Sequence, residues 1–221
     1  MSRITEILIR ARDTLADPDK ERWSDARLVR LVDECQKAIC VSAKLLKTSV
    51  SIAAKAGQSN YLLPDNYILL TRALYNKSKL EIVGSDKLDF MLGIDWTTIE
   101  GIPQYLSTDN LNRQIIRLSP TPKAPITVDT NDDIYIRIYY VKMPDTITSI
   151  DDDLELEELY DTMITRYVIG MCLRDDMDTQ NRLVGNEELA MYNNWMKEIT
   201  LQASKDLTDN NLYTTVYRSF E

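Results

Sequence analysis

The sequence predicts an α+β protein: an antiparallel-type helical bundle of two N-terminal and two C-terminal helices, with an inserted β-rich subdomain. Three observations predict it. Apolar residues follow helical spacing at the start of the chain, switch to alternation near residue 48, and return to helical spacing after residue 154. The expected segments are residues 1–47 and 145–207 for the two halves of the bundle, 48–144 for the insertion, and 208–221 for a C-terminal arm. At 221 residues and 44% hydrophobic content, the chain is long enough to bury roughly 70% of its unfolded surface.

The first helix is expected from Ile4, Ile7, Leu8, Ala11 and Leu15, with Ser2 as N-cap. Asp17-Pro18-Asp19 ends it, because proline disfavours helical geometry in the residue before it. The second helix has a sharper start. Ser24 is the cap, Trp23 precedes it, and Leu28 takes the fourth helical position, which is the spacing of a hydrophobic staple. Leu28, Leu31, Val32, Cys35, Ile39 and Leu46 form the apolar stripe, with Arg27, Arg30, Glu34 and Lys37 off it.

In the middle, Val50 and Ile52 alternate with Ser49 and Ser51. Lys55-Ala56-Gly57-Gln58 offers a turn before Tyr61-Leu62-Leu63-Pro64, so this stretch reads as a hairpin ended by proline. Residues 68–75 and 79–83 read as strands joined across Asn76-Lys77-Ser78. A short capped helix is expected at Ser85–Phe90, then strands at 104–107 and 114–118. The proline-punctuated connector Pro120–Pro125 follows. The best strand is 133–141, with Ile134, Ile136, Ile138 and Tyr140 on one face and Tyr135, Arg137, Tyr139 and Val141 on the other.

The third long helix is expected over about 154–173, with Leu156, Leu159, Met163, Tyr167 and Met171 inward. The fourth is expected over about 186–204, with Leu189, Tyr192, Trp195 or Met196, and Ile199 inward. Leu207-Thr208-Asp209-Asn210-Asn211 reads as a helix breaker. Beyond it, residues 212–220 are β-branched and aromatic and read as a strand-forming arm. Its candidate docking residues for a partner are Tyr213, Val216, Tyr217 and Phe220.

Composition excludes much chemistry. The chain has no histidine, which removes Ser–His triads, Cys–His dyads and histidine-ligated metals. Neither a glycine-rich phosphate loop nor a cofactor motif occurs, so no catalytic residue, metal or cofactor is expected. Cys35 and Cys40 lie about 7.5 Å apart along a helix axis, beyond the ~7 Å Cα limit for a bridge, so the three cysteines read as buried thiols. A net charge of −9 and a pI near 4.7 disfavour sequence-independent DNA binding. No apolar run approaches the ~20 residues that cross a membrane, and no secretory signal is expected.

One stretch concentrates charge. Asp145 to Asp161 holds eight acidic side chains and no basic one. Acidic side chains at a helix N-terminus complement the macrodipole, which is the simpler account. The alternatives are a functional acidic surface made by Asp151, Asp152, Asp153, Glu155, Glu157 and Glu158, or a Mg²⁺ or Ca²⁺ site on Asp151–Asp153. The EF-hand spacing is missing.

Taken in order, several segments resemble the head-to-tail adaptor (connector) proteins of tailed bacteriophages. They are Trp23-Ser24-Asp25-Ala26-Arg27-Leu28 with its long helix, then Ala56-Gly57-Gln58 with Tyr61-Leu62-Leu63-Pro64. Trp96, Gly101-Ile102-Pro103-Gln104-Tyr105, Leu118-Ser119-Pro120-Thr121-Pro122, Tyr139–Pro144 and the helix near Leu156–Tyr160 continue the match. The resemblance spans about residues 3–205. It implies a non-enzymatic virion component made in the host bacterial cytoplasm. Such a protein forms a ring, commonly twelve-fold, below the portal. Its partners would be the portal protein, sibling adaptor subunits and tail or nozzle proteins, and DNA would pass through the lumen without specific binding. The alternatives are another neck or tail-tube structural protein, or a metal-dependent phosphohydrolase built on Asp151–Asp153.

Overall fold

The computed structural model describes residues 2–108, 114–123 and 135–216, and only the backbone over 206–216. It divides into two compact units, Met1–Leu45 with Pro144–Glu221, and Leu46–Met143.

In the first unit, α1 (Arg3–Leu15) and α2 (Asp25–Ala43) start where the caps predict. Ser2 Oγ accepts from Thr5 N at 3.2 Å, and Ser24 Oγ accepts from Arg27 N at 3.4 Å. Trp23 and Leu28 are both buried, as a staple requires. Each helix closes on a left-handed residue, Ala16 and Lys44. Leu46 therefore lies past the end of α2 and is not part of its stripe.

The C-terminal helices depart from expectation. Helix α4 spans Asp161–Arg174, preceded by a 3-10 turn at Glu158–Tyr160. Residues 154–157 enter it as extended or irregular chain. Its buried stripe is Ile164, Val168 and Cys172, while Leu159 is 63% exposed and Met163, Tyr167 and Met171 are half-buried. The pattern was ambiguous because α4 is apolar on several sides. It touches α1, α2 and α5, so more than one face is covered. Helix α5 runs Thr179–Val216, longer at both ends than expected. It passes through Gly185 and through 207–211 without a break, so residues 212–216 are helical, not strand. Once a helix is nucleated, propagation adds a hydrogen bond per residue and outweighs modest local preferences. Tyr217 and Phe220 lie outside the described residues.

The second unit is built on a seven-stranded sheet. Its strands are β1 (Lys47–Ala53), β2 (Asn60–Leu62), β3 (Tyr67–Tyr75), β4 (Ser78–Gly84), β6 (Tyr105–Thr108), β7 (Ile115–Ser119) and β9 (Tyr135–Lys142), ordered β1-β9-β3-β4-β6-β7-β2. A separate parallel pair joins β5 (Glu100–Gly101) to β8 (Thr121–Pro122). Strand β3 turns into β4 through Asn76 and Lys77, both at positive φ. That is the two-residue geometry whose twist matches a hairpin. Strands β4 and β6 are parallel and so need a crossover, supplied by α3 (Ser85–Leu92) and a 3-10 turn at Ile94–Thr98. The cap of α3 is Gly84, with no side-chain bond.

The expected hairpin between β1 and β2 does not form. β1 pairs with β9 over seven positions, Lys47↔Val141 to Ala53↔Tyr135, whereas β2 pairs with β7 over three. A three-residue strand offers β1 less than half the ladder that β9 does. The intervening loop is held in its own shape. Gly57, at φ +71°, donates to Pro122 O at 2.7 Å. The Tyr61 hydroxyl accepts from Lys55 N and donates to Gln58 O, both at 3.0 Å. Ile136, Ile138 and Tyr140 of β9 enter the core with Tyr61, Leu80, Leu106, Ile116 and Leu118. Val141, on the opposite face of β9, is also buried, while Ile134 lies outside the described residues.

Candidate functional site

The acidic stretch is a strap across α2. Helix α2 carries Asp33 and Gln36 buried beside its apolar stripe, and an unpaired buried polar group is costly. Both are satisfied by the strap. Asp33 Oδ1 accepts from Ile147 N at 3.0 Å, and Asp33 Oδ2 pairs with Lys37 Nζ at 2.7 Å. Lys37 reaches on to Thr146 Oγ1 at 3.0 Å. The Gln36 amide binds the strap twice, accepting from Glu155 N at 2.9 Å and donating to Asp145 O at 3.4 Å. Glu155 Oε1 closes the ring by accepting from Asp145 N at 2.7 Å.

The far end is fixed from α1. Ser2 Oγ donates to Ile150 O. Arg3 donates to Leu156 O at 2.5 Å and pairs with Asp161 at 2.5 Å. Asp152 turns inward on its own loop, where its carboxylate accepts from Thr148 N at 2.7 Å and Ser149 N at 2.9 Å. Those backbone N–H groups, with the Thr148 hydroxyl, outweigh partial burial and hold Asp152 below the usual carboxylate range, since bonds to the charged form favour it.

The six acidic candidates thus separate into two roles. Asp152 and Glu155 bind backbone, whereas Asp151, Asp153, Glu157 and Glu158 face solvent. Asp145 to Glu155 precede the helical segment, whereas Glu157 is the cap and Glu158 the first residue of the 3-10 turn that runs into α4 at Asp161, so the helix-dipole account describes only the end of the stretch. Among the described residues, no three His, Cys, Asp or Glu side chains converge as a metal-binding group, and no helix is long and apolar enough to cross a membrane.

A second polar network secures the α1–α2 turn. Buried Arg12 pairs with Asp17 at 2.9 Å and Asp25 at 2.7 Å and donates to Trp23 O at 2.8 Å. Asp17 also accepts from the backbone N–H groups of Glu21, Arg22 and Trp23. Burial raises the Asp17 pKa, but these N–H bonds and Arg12 together hold it below the usual range. Sequence reasoning missed Arg3, Arg12, Asp33 and Gln36. The visible signal was polar residues set directly beside the apolar stripes of α1 and α2.

The docking candidates separate too. Tyr213 and Val216 fall within the backbone of α5, and Tyr217 and Phe220 lie outside the described residues. For the cysteines, burial pushes the Cys35 thiol up to about 12, against a bond with Tyr192 that lowers it, and pushes Cys172 up to about 11.

A family model described as SU10 adaptor protein matches residues 2–216. No curated protein matches the chain significantly.

Proposed function

We infer the function from one premise: the chain belongs to the SU10 adaptor protein family of phage head-to-tail adaptors, which its match over residues 2–216 establishes. It is a phage structural adaptor, and the family associates with portal and tail proteins. The finer reading is our proposal. The protein forms a ring, twelve-fold by the habit of such connectors, below the portal of the filled capsid. There it extends the DNA channel and offers the surface on which the tail assembles. It acts by protein–protein contact without catalysis and resides in the virion. The family match over nearly the whole chain carries this reading.

Three structural features support it. Helices α1, α2 and α4 each bury an apolar stripe, and α5 packs on α2 and α4 with Tyr192 buried; we read the four as an antiparallel bundle able to fold before assembly. The free protein is then monomeric or only weakly associated, since a net charge of −9 repels siblings at low salt. Next, the strap turns Asp151, Asp153, Glu157 and Glu158 outward. Repeated around a ring, these carboxylates make a lumen or rim to which a polyanion does not adhere. Finally, Tyr213 and Val216 are spaced i, i+3 in the last turns of α5, a spacing that a helix brings to one face. We propose that this end of α5 docks on the portal or a sibling.

Deleting residues 210–221 tests the docking role. The truncated protein should keep its melting temperature and lose co-sedimentation with portal. Loss of fold instead would assign the segment to the protein's own core.

A further inference from the structure

Helix α3 presents an apolar tip that the fold leaves uncovered. Of its eight residues only Leu88 is buried, against Val83, Trp96 and Tyr105. Phe90 is 92% exposed and Ile94, just past the helix, 86%, with Met91 also exposed between them. At 100° per residue, Phe90 points about 200° away from Leu88. No rotamer change buries it without unwinding the helix. Single exposed apolar residues are ordinary on any protein, whereas a cluster marks a contact surface.

The tip is rigid. Trp96 Nε1 donates to Asp89 Oδ1 at 2.6 Å, tying the 3-10 turn back to α3. The reversal between them passes through Gly93 at φ +84°, a conformation L side chains rarely adopt, and Gly93 N donates to Asp89 O at 3.0 Å. The Arg117 guanidinium covers the outer side of Trp96, 5.6 Å from its ring centre. Contact through a tip already held in place costs little ordering entropy.

Charge selects the occupant. Asp86 lies one helical turn before Phe90 and Asp95 follows Ile94. Of the nearby cations among the described residues, Lys87 is paired with Glu81 at 3.2 Å, and Arg117 lies over Trp96 and donates to Asn60 Oδ1 at 2.8 Å. Two copies meeting tip to tip would oppose these carboxylates, and an anionic lipid surface would be repelled as well. We propose that the Phe90–Ile94 tip docks in an apolar groove with a Lys- or Arg-bearing rim on a different protein of the particle. This rests on the adaptor reading, because it assumes the chain is built into virions.

The test is a photo-crosslinking phenylalanine analogue at position 90 in the phage that encodes the chain, with crosslinked peptides from purified particles sequenced by mass spectrometry. The expected product joins position 90 to another virion protein at an apolar segment flanked by Lys or Arg. Phe90→Ser with Ile94→Ser should leave the purified protein's circular dichroism and melting unchanged, and lower phage titre at least 100-fold. Crosslinks to peptides of this chain would overturn the proposal in favour of a contact between copies. An unchanged titre without crosslinks would reduce the tip to a solvated loop, and unfolding of the double variant would assign it to the core. Absence of the wild-type chain from particles would instead count against the adaptor reading itself.

Discussion

Gly185→Ala should destabilise the protein, although alanine is the better helix former. In isolation the exchange favours an α-helix by about 1 kcal/mol. Here α5 packs tightly on α4 at this glycine. A Cβ would sit 2.6 Å from Arg174 N and 2.9 Å from both the carbonyl carbon and Cβ of Leu173. Two of these three atoms are backbone, so relief requires α5 to move away from α4 and to loosen the contact with Gly170 and Leu189. Overpacking of this kind costs about 1–3 kcal/mol, and a backbone obstacle places it at the upper end. The net expectation is a loss of about 1–2 kcal/mol, or a melting temperature roughly 2–8 °C lower at the 2–4 °C per kcal/mol typical of this chain length. Thermal melts by circular dichroism, with urea titrations to confirm an unchanged slope, measure it directly. A melting temperature equal to or above that of the native chain would refute the close-approach argument. Gly170→Ala meets mainly the Leu189 side chain, at 2.8 Å, which can yield, so its loss should be smaller. The two changes should not add, because they act at one crossing.

Three further outcomes follow from the polar networks and the thiols. Gln36→Ala leaves Glu155 N and Asp145 O without their amide partner, and should cost about 1–3 kcal/mol in urea titration with little change in helix content. Asp17 has a lowered pKa in the folded state, so its stabilising effect is present above its unfolded value of about 3.9 and is lost as pH falls through the folded value. Melting temperature should therefore drop steeply below pH 4, and Asp17→Asn should lower stability at pH 7 while flattening that acid limb. Cys35 and Cys172 are raised, so they stay protonated and buried in the folded chain near neutral pH. A thiol reagent at pH 8 should modify them only as fast as the protein opens, and fast labelling of Cys35 in the folded state would contradict its burial.

The starts of α1 and α2 were legible because capping is local chemistry. Ser2, Ser24 and the Trp23–Leu28 staple act within five residues. The same holds for the Asn76-Lys77 turn and for the alternation of β9. Partner choice was not legible in the same way. Whether β1 joins β2 or β9 depends on ladder length across nearly ninety residues of chain, and no local signal encodes that. Gly185 shows a related limit: within a helical pattern it resembles a break, yet the fold needs its missing side chain for the α4–α5 crossing. For the candidate site, the acidic stretch was visible as composition, but its split into inward Asp152 and Glu155 and outward Asp151, Asp153, Glu157 and Glu158 depends on Gln36, Arg3 and the Thr148–Ser149 backbone. Those partners lie three residues away in one case and more than a hundred in the others.

Electron microscopy of the purified protein mixed with its own portal tests the central claim most directly. The account predicts that the free chain is monomeric or only weakly associated by light scattering, and that portal particles acquire a coaxial ring of it on the tail-facing side, with the 151–158 strap on the lumen or its rim. Portal particles that remain bare, or a chain that decorates the outer capsid surface instead, would contradict it.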